Sequence, residues 1–158
     1  DGLSIPDAEH QLLTDLSKFL EENKSFSLRI YPHPREKRPE IIEKTREFYT
    51  EYFKSGNFDI AGPEVRTSMA FEQCDIGLAA FSTILYERLF CAFKTLIGNY
   101  GFPDFPHAES PLNNICFASF SGLEEKLLSA SKQSQDDFFK DRGLAGYRYQ
   151  DYPYFSDQ

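Results

Sequence analysis

The stretch from Asp75 to Asn99, DIGLAAFSTILYERLFCAFKTLIGN, predicts a strand, a turn, a helix and a second strand. The apolar run Ile76 to Phe81 has the length of a buried strand, and Ile84 to Phe93 has the length and apolar spacing of a helix. A second apolar run, Thr95 to Gly98, follows the helix. Because strands that alternate with helices usually form a parallel sheet, we expect the two apolar runs to be adjacent parallel strands.

The same alternation continues on both sides of this stretch. Further strands are predicted at Phe26 to Tyr31, Phe58 to Ala61 and Ile115 to Ala118. Further helices are predicted at Ser4 to Glu22, Pro39 to Phe53, Val65 to Gln73, Ser121 to Ser131 and Asp136 to Arg142. The predicted fold class is α/β, a Rossmann-like three-layer sandwich whose mostly parallel sheet has about five strands with helices on both faces. We expect residues 1–142 to form this domain and residues 143–158 to form an aromatic C-terminal tail.

Length and charge limit the classes of function. With 158 residues the chain is long enough for one domain with a core of its own. The net charge of −8 argues against a broad nucleic-acid surface, so we expect no nucleic-acid partner. Charged residues (Glu87, Arg88 and Lys94) interrupt the longest apolar runs, so no transmembrane segment is predicted.

The three cysteines do not form a recognisable framework. Cys74, Cys91 and Cys116 contain no C-x-x-C pair, which argues against disulfides and against a zinc site. We therefore expect a cytoplasmic protein with reduced cysteines, of which Cys74 and Cys91 are buried.

The turn in the central stretch contains two hydroxyl residues, Ser82 and Thr83, where the helix begins. Helix N-termini have unpaired N–H groups and the positive end of the helix dipole, so they bind phosphate readily. Glu87 lies four residues after Thr83 and therefore on the same helix face, where it could accept hydrogen bonds from a ribose. The alternative is that Ser82 only caps the helix and that Glu87 is a surface charge.

A basic segment, Arg29 to Arg38, covers the end of the strand predicted at Phe26 to Tyr31 and the loop after it. It contains four cations and a histidine: Arg29, Arg35, Lys37, Arg38 and His33. Ligands of parallel sheets bind beyond the carboxyl ends of the strands, so we expect His33 and Ser82 to face one cleft, about 10 Å apart. The alternative is a solvated basic turn in which two prolines hold His33.

Two motifs resemble a known family. The residues R-x-Y-P-H-P (Arg29 to Pro34) and F-S-T-x-x-Y-E (Phe81 to Glu87) resemble the C-terminal nucleotide-binding domain of GT-B glycosyltransferases. The resemblance is greatest to bacterial sialyltransferases, capsule-polymer transferases and teichoic-acid polymerases, in which a His-Pro motif and a Ser-Thr pair contact the donor nucleotide. It covers roughly Phe26 to Ala130. One departure is Lys94, which occupies the place of the second acid in other GT-B families.

The resemblance implies a function and a set of site residues. The implied donor-nucleotide contacts are Arg29, His33, Arg35, Phe81, Ser82, Thr83 and Glu87, with His33 also catalytic. The implied reaction transfers a sugar or an alditol phosphate in bacterial surface polysaccharide synthesis, with no metal and no cofactor. The donor would be linked to CMP, CDP or UDP.

The resemblance also implies partners. An N-terminal acceptor-binding domain would lie outside this chain, so the isolated chain is expected to be inactive. The full-length protein would associate peripherally with the inner membrane.

Three alternatives remain open on the sequence. They are a nucleotide-sugar epimerase domain, a transferase domain that has lost donor binding, and a non-catalytic flavodoxin-like interaction module. In the last case the aromatic tail from Tyr147 to Phe155 would be the contact surface. Binding of pyrimidine nucleotides would distinguish the transferase from the interaction module, because a ligand stabilises the native state.

Overall fold

The computed structural model describes residues 5–54, 57–80, 82–101 and 109–146. The strands in these ranges are β1 (Leu28–Ile30), β2 (Phe58–Ile60), β3 (Gly77–Ala79), β4 (Thr95–Gly98) and β5 (Cys116–Phe117). The α-helices are α1 (Ile5–Glu22), α2 (Ile42–Tyr52), α3 (Ile84–Phe90), α4 (Phe120–Ser131) and α5 (Gln135–Asp141). Ser4, Phe81 and residues 147–158 lie outside the described residues, so the expectations for them stay untested.

All strand pairings in the described part of the chain are parallel. β1 pairs with β2 in a two-stranded sheet, and β3, β4 and β5 form a three-stranded sheet in that order. The α/β class and the parallel pairing are therefore confirmed, but the strands form two sheets where one sheet of about five was predicted. Strand β1 is only three residues long, and the buried Pro32 that follows soon after it has no N–H to extend a ladder.

The central unit has the predicted order. β3 and β4 are adjacent and parallel, with α3 between them in the chain. Helix α3 ends at Phe90, three residues earlier than predicted, because Ala92 takes a left-handed conformation with φ of 60°. The N–H of Phe93 then bonds to the carbonyl of Arg88 at 3.1 Å, which closes the helix end in a Schellman-type arrangement.

Amphipathic helices cover the sheets. Leu12, Leu16 and Phe19 recur at helical spacing on α1, and all three are buried. Helix α1 packs against α2 and α4, while α3 packs against β3 and β4. Leu144 is also buried in the core, so the packed part of the chain extends past residue 142.

The segment predicted as a helix at Val65 to Gln73 forms two short 3₁₀ turns, Thr67–Met69 and Phe71–Gln73. The buried guanidinium of Arg88 gives a physical reason. It donates hydrogen bonds to the carbonyl groups of Phe71 and Cys74, both at 2.8 Å. These carbonyls are therefore satisfied without a continuous helix.

The cysteine expectation is partly wrong. All three cysteines are free, but Cys91 is exposed and Cys74 is only half-buried. Cys91 directly follows α3 in the turn that Ala92 forces toward solvent, which the apolar neighbours in the sequence did not reveal. Across the described ranges, no helix combines the length and the apolar character needed to cross a membrane.

Candidate functional site

The loop after β1 holds His33 in one orientation. The imidazole Nδ1 of His33 accepts a hydrogen bond from the N–H of Arg35 at 3.1 Å. The N–H of His33 donates to the Glu36 carboxylate at 2.6 Å, and the N–H of Glu36 donates to the His33 carbonyl at 2.8 Å. Because Nδ1 is an acceptor, the neutral ring has its proton on Nε2, which has no hydrogen-bond partner among the described residues.

The cationic side chains of the basic segment are not equally available to bind a ligand. Three of them have partners: Arg29 with Asp59 and Gln73, Lys37 with the Val65 carbonyl, and Arg38 with Glu40 and the Arg35 carbonyl. Arg29 lies inside β1 and not at its carboxyl end. The exposed guanidinium of Arg35 has no such partner in the described ranges, so it is the cation of the loop best placed to meet a ligand.

Two carboxylates border the His33 loop. Burial raises the pKa of Glu9 on α1; Glu36 raises it further, and His33 lowers it. The hydroxyl of Tyr49 donates to Glu36 at 3.4 Å, and burial together with this carboxylate raises the pKa of Tyr49. Glu36 therefore uses its oxygens to shape the loop, and Glu9 contributes negative charge next to His33.

The turn after β3 contains the two predicted hydroxyls. The Ser82 hydroxyl accepts from the N–H of Ile84 at a long 3.4 Å, and Thr83 occupies the N-cap position without a side-chain capping bond. The exposed hydroxyl of Thr83 and the exposed carboxylate of Glu87 have no partner among the described residues. Helix α3 has only seven residues, so its dipole is weaker than the sequence suggested. Phe81, also predicted to contact the donor, lies outside the described residues.

A groove at the carboxyl ends of β4 and β5 was not predicted from the sequence. We call it the β4–β5 groove; its volume is about 390 Å³, and it is lined by Gln11, Asp15, Tyr100, Ala118, Ser119 and Phe120. Tyr100 follows β4, while Ala118 to Phe120 follow β5 and begin α4. Asp15 was the signal in the sequence, because it occupies the apolar face of α1 between Leu12 and Phe19.

The structure brings together only part of the predicted site. Ser82 follows β3, and the β4–β5 groove lies at the carboxyl ends of the other two strands of the same parallel sheet, of which β4 is the neighbour of β3. His33 follows β1, which belongs to the other sheet. The expected cleft shared by His33 and Ser82 therefore stays a prediction.

Comparisons of the chain with models of protein families, with curated proteins and with solved structures give no match. The described ranges contain no group of three or more His, Cys, Asp or Glu side chains able to hold a metal ion.

Proposed function

We propose that the chain is the donor-nucleotide-binding domain of a metal-independent glycosyltransferase, or alditol-phosphate transferase, of bacterial surface polysaccharide synthesis. Its architecture would be the Rossmann-like three-layer sandwich of a GT-B C-terminal domain. The observation that supports this most is the parallel β3–α3–β4 unit, which has two hydroxyl residues at the carboxyl end of β3. Parallel sheets bind nucleotides at this position.

The chemistry at this turn suits a phosphate and a ribose. The hydroxyls of Ser82 and Thr83 donate to phosphate oxygens, and Thr83 does so without losing a bond to the protein. The carboxylate of Glu87, one helical turn later, accepts hydrogen bonds from ribose hydroxyls. Sugar transfer leaves negative charge on the departing phosphate, and preorganised donors stabilise that charge as it develops.

His33 would donate a hydrogen bond to the same phosphate through Nε2, because its Nδ1 accepts the hydrogen bond from the Arg35 N–H. The guanidinium of Arg35, two residues further along the chain, is exposed and has no partner in the described ranges. In this proposal His33 contacts the leaving phosphate through Nε2, and Arg35 supplies the positive charge.

The partners follow from the proposal. The donor is a CMP-, CDP- or UDP-linked sugar or alditol, and an N-terminal acceptor-binding domain completes the enzyme. The full-length protein is cytoplasmic and associates peripherally with the inner membrane.

Calorimetry with CMP, CDP and UDP, with EDTA present, tests the proposal. The parent chain should bind at least one of them, and the double variant Ser82→Ala, Thr83→Val should bind at least tenfold more weakly. The control makes the same chemical changes outside the turn after β3, at Ser131→Ala and Thr50→Val, which are exposed on α4 and α2. The control should bind like the parent.

Two results would reject the proposal. Either no pyrimidine nucleotide binds at millimolar concentration, or the Ser82, Thr83 double variant binds as tightly as the parent. The turn after β3 would then be an ordinary helix start, and the interaction-module interpretation would replace the transferase.

A further inference from the structure

Asp15 is a buried carboxylate in an apolar part of α1. It is 6% exposed, and it lies on the same helix face as the buried Leu12 and Leu16. Its two oxygens accept hydrogen bonds from neutral groups, the Gln11 amide and the Tyr100 hydroxyl, each at 3.0 Å. Within the described ranges it has no ion pair. Burial of a carboxylate without a cation is costly, so a role beyond packing would explain its presence.

The carboxylate retains capacity for further donors. Each oxygen of a carboxylate can accept about two hydrogen bonds, and each Asp15 oxygen has one donor in the protein. Asp15 lines the β4–β5 groove, which is the adjacent open space. A ligand group that donates hydrogen bonds would complete the carboxylate's coordination.

Tyr100 holds the carboxylate in place. Its ring stands edge-on to Phe117, with 5.9 Å between the ring centroids, and it is also close to Gly98, where an added Cβ would lie 3.0 Å from the ring. Burial and then the Asp15 carboxylate raise the pKa of Tyr100, so its hydroxyl stays protonated and donates to Asp15. The acceptor is therefore preorganised before any ligand arrives.

The rest of the β4–β5 groove has a mixed character. Ser119 caps α4 by accepting from the N–H of Gly122 at 3.2 Å, and its hydroxyl also contacts that of Ser121. The ammonium of Lys18 lies 3.9 Å from the centre of the Phe120 ring. An anion deep in the groove would meet the negative charge of Asp15, whereas the hydroxyl groups of a ligand would find the Asp15 acceptor, the Ser119 hydroxyl and an aromatic ring.

We propose that the β4–β5 groove binds the hydroxyl groups of a sugar ring, with Asp15 as their acceptor. This inference rests on the proposed function, which places the donor phosphate at Ser82 and Thr83. Strands in a sheet are about 4.8 Å apart, so the ends of β3 and β5 are about 10 Å apart across β4. A sugar joined to that phosphate therefore reaches the groove. The ring is either the sugar that is transferred, with the ribose at Glu87, or the ribose itself, in which case Asp15 and not Glu87 accepts from its hydroxyls.

Calorimetry with three ligands distinguishes these two rings. The ligands are CMP, 2′-deoxy-CMP and a CMP-linked sugar, or the uridine equivalents if the parent prefers uridine. The test variant is Asp15→Asn, and the control is Glu22→Gln, an exposed carboxylate on the same helix. The control should bind all three ligands like the parent.

If the ribose occupies the groove, Asp15→Asn should weaken CMP about tenfold and 2′-deoxy-CMP less than twofold. If the transferred sugar occupies it, Asp15→Asn should leave both mononucleotides unchanged and remove the additional affinity of the sugar-linked donor. A second variant, Ala118→Phe, fills the groove from the segment after β5 and leaves the Asp15 and Tyr100 side chains unchanged. Ala118→Phe should weaken the binding of the same ligands as Asp15→Asn, and it keeps the test valid even if Asp15→Asn does not fold.

Parent-like binding of all three ligands by both variants would overturn the inference, since Asp15 would then only anchor Tyr100. That result leaves the proposed function intact as long as the Ser82, Thr83 variant still binds weakly. If the parent binds no nucleotide at all, both the proposed function and this inference fail.

Discussion

Replacing Lys94 by Met should destabilise the domain far more than the same change at an exposed lysine. Lys94 stands where a resemblance to other GT-B families would place an acid, and the structure gives it a different role. Its ammonium is buried, and it donates to the carbonyl groups of Ala130 and Gln133 at the end of α4, each at 2.8 Å. It also forms an ion pair with Asp75 at 2.8 Å.

The expected size of the effect follows from these contacts. Hydrogen bonds to a charged group contribute about 1.5–3 kcal/mol each. The Ala130 carbonyl keeps a second donor, the N–H of Gln133 at 3.3 Å, and the Asp75 side chain is 63% exposed, so water replaces part of what is lost. Met fills the volume of the aliphatic chain but offers no donor to the two carbonyls. We therefore expect a loss of about 3 kcal/mol in the free energy of unfolding.

Urea denaturation measures this loss, with an unchanged slope indicating that the two-state comparison is valid. Lys54→Met is the matched control, because Lys54 pairs with Glu51 at the same 2.8 Å but both side chains are exposed. An exposed pair contributes about 0.5 kcal/mol or less. If the two variants lose the same free energy within about 0.5 kcal/mol, the assignment of Lys94 as a buried anchor of α4 is wrong.

Three further predictions concern stability and reactivity. Gly77→Ala should clearly lower the free energy of unfolding in urea denaturation, because the new Cβ would lie 2.4 Å from the Nε of Arg88. Four backbone carbonyls hold the Arg88 guanidinium in place. Stability equal to that of the parent would show that Arg88 can move. Glu9→Gln should raise the melting temperature at pH 7 but not near pH 4. A carboxyl group whose pKa is raised in the folded state destabilises the fold as the pH rises and its charge forms, and glutamine has no such charge. An equal gain in melting temperature at both pH values would contradict this prediction. A thiol reagent on the native protein should modify the exposed Cys91 first and Cys116 last, since burial raises the pKa of the Cys116 thiol to about 12. Mass spectrometry of the modified peptides gives the order of modification. Early labelling of Cys116 would refute the prediction.

Local signals in the sequence were sufficient for the order of the elements. The run Thr95 to Gly98 forms a strand with the predicted bounds, and α1 ends at the predicted Glu22. These predictions succeeded because apolar periodicity and turn residues act over one or two turns of chain. They failed where a residue distant in the sequence affects the local structure. In the segment Val65 to Gln73 the carbonyl of Phe71 accepts a hydrogen bond from Arg88, as does the carbonyl of Cys74 directly after the segment.

The candidate site divides in the same way. Ser82, Thr83 and His33 could be chosen from the sequence, because hydroxyls and a histidine after predicted strands are visible as a pattern. The orientation of His33 could not, since it depends on the Arg35 N–H and on the Glu36 carboxylate folding back on the loop. The ion pair between Arg29 and Asp59 likewise depends on the pairing of β1 with β2.

By itself the sequence determined that the chain alternates strands and helices and that its strands pair in parallel, because these properties depend on spacing along the chain. Only the tertiary structure decided which polar side chains are buried and what they face. Asp15 and Tyr100 are 85 positions apart and meet only because α1 packs beside the end of β4. Lys94 meets the carbonyls of Ala130 and Gln133 because the end of α4 lies beside the start of β4. The energy of such contacts depends on burial and on the distance in space between the partners, and neither quantity is encoded in the local pattern of residues.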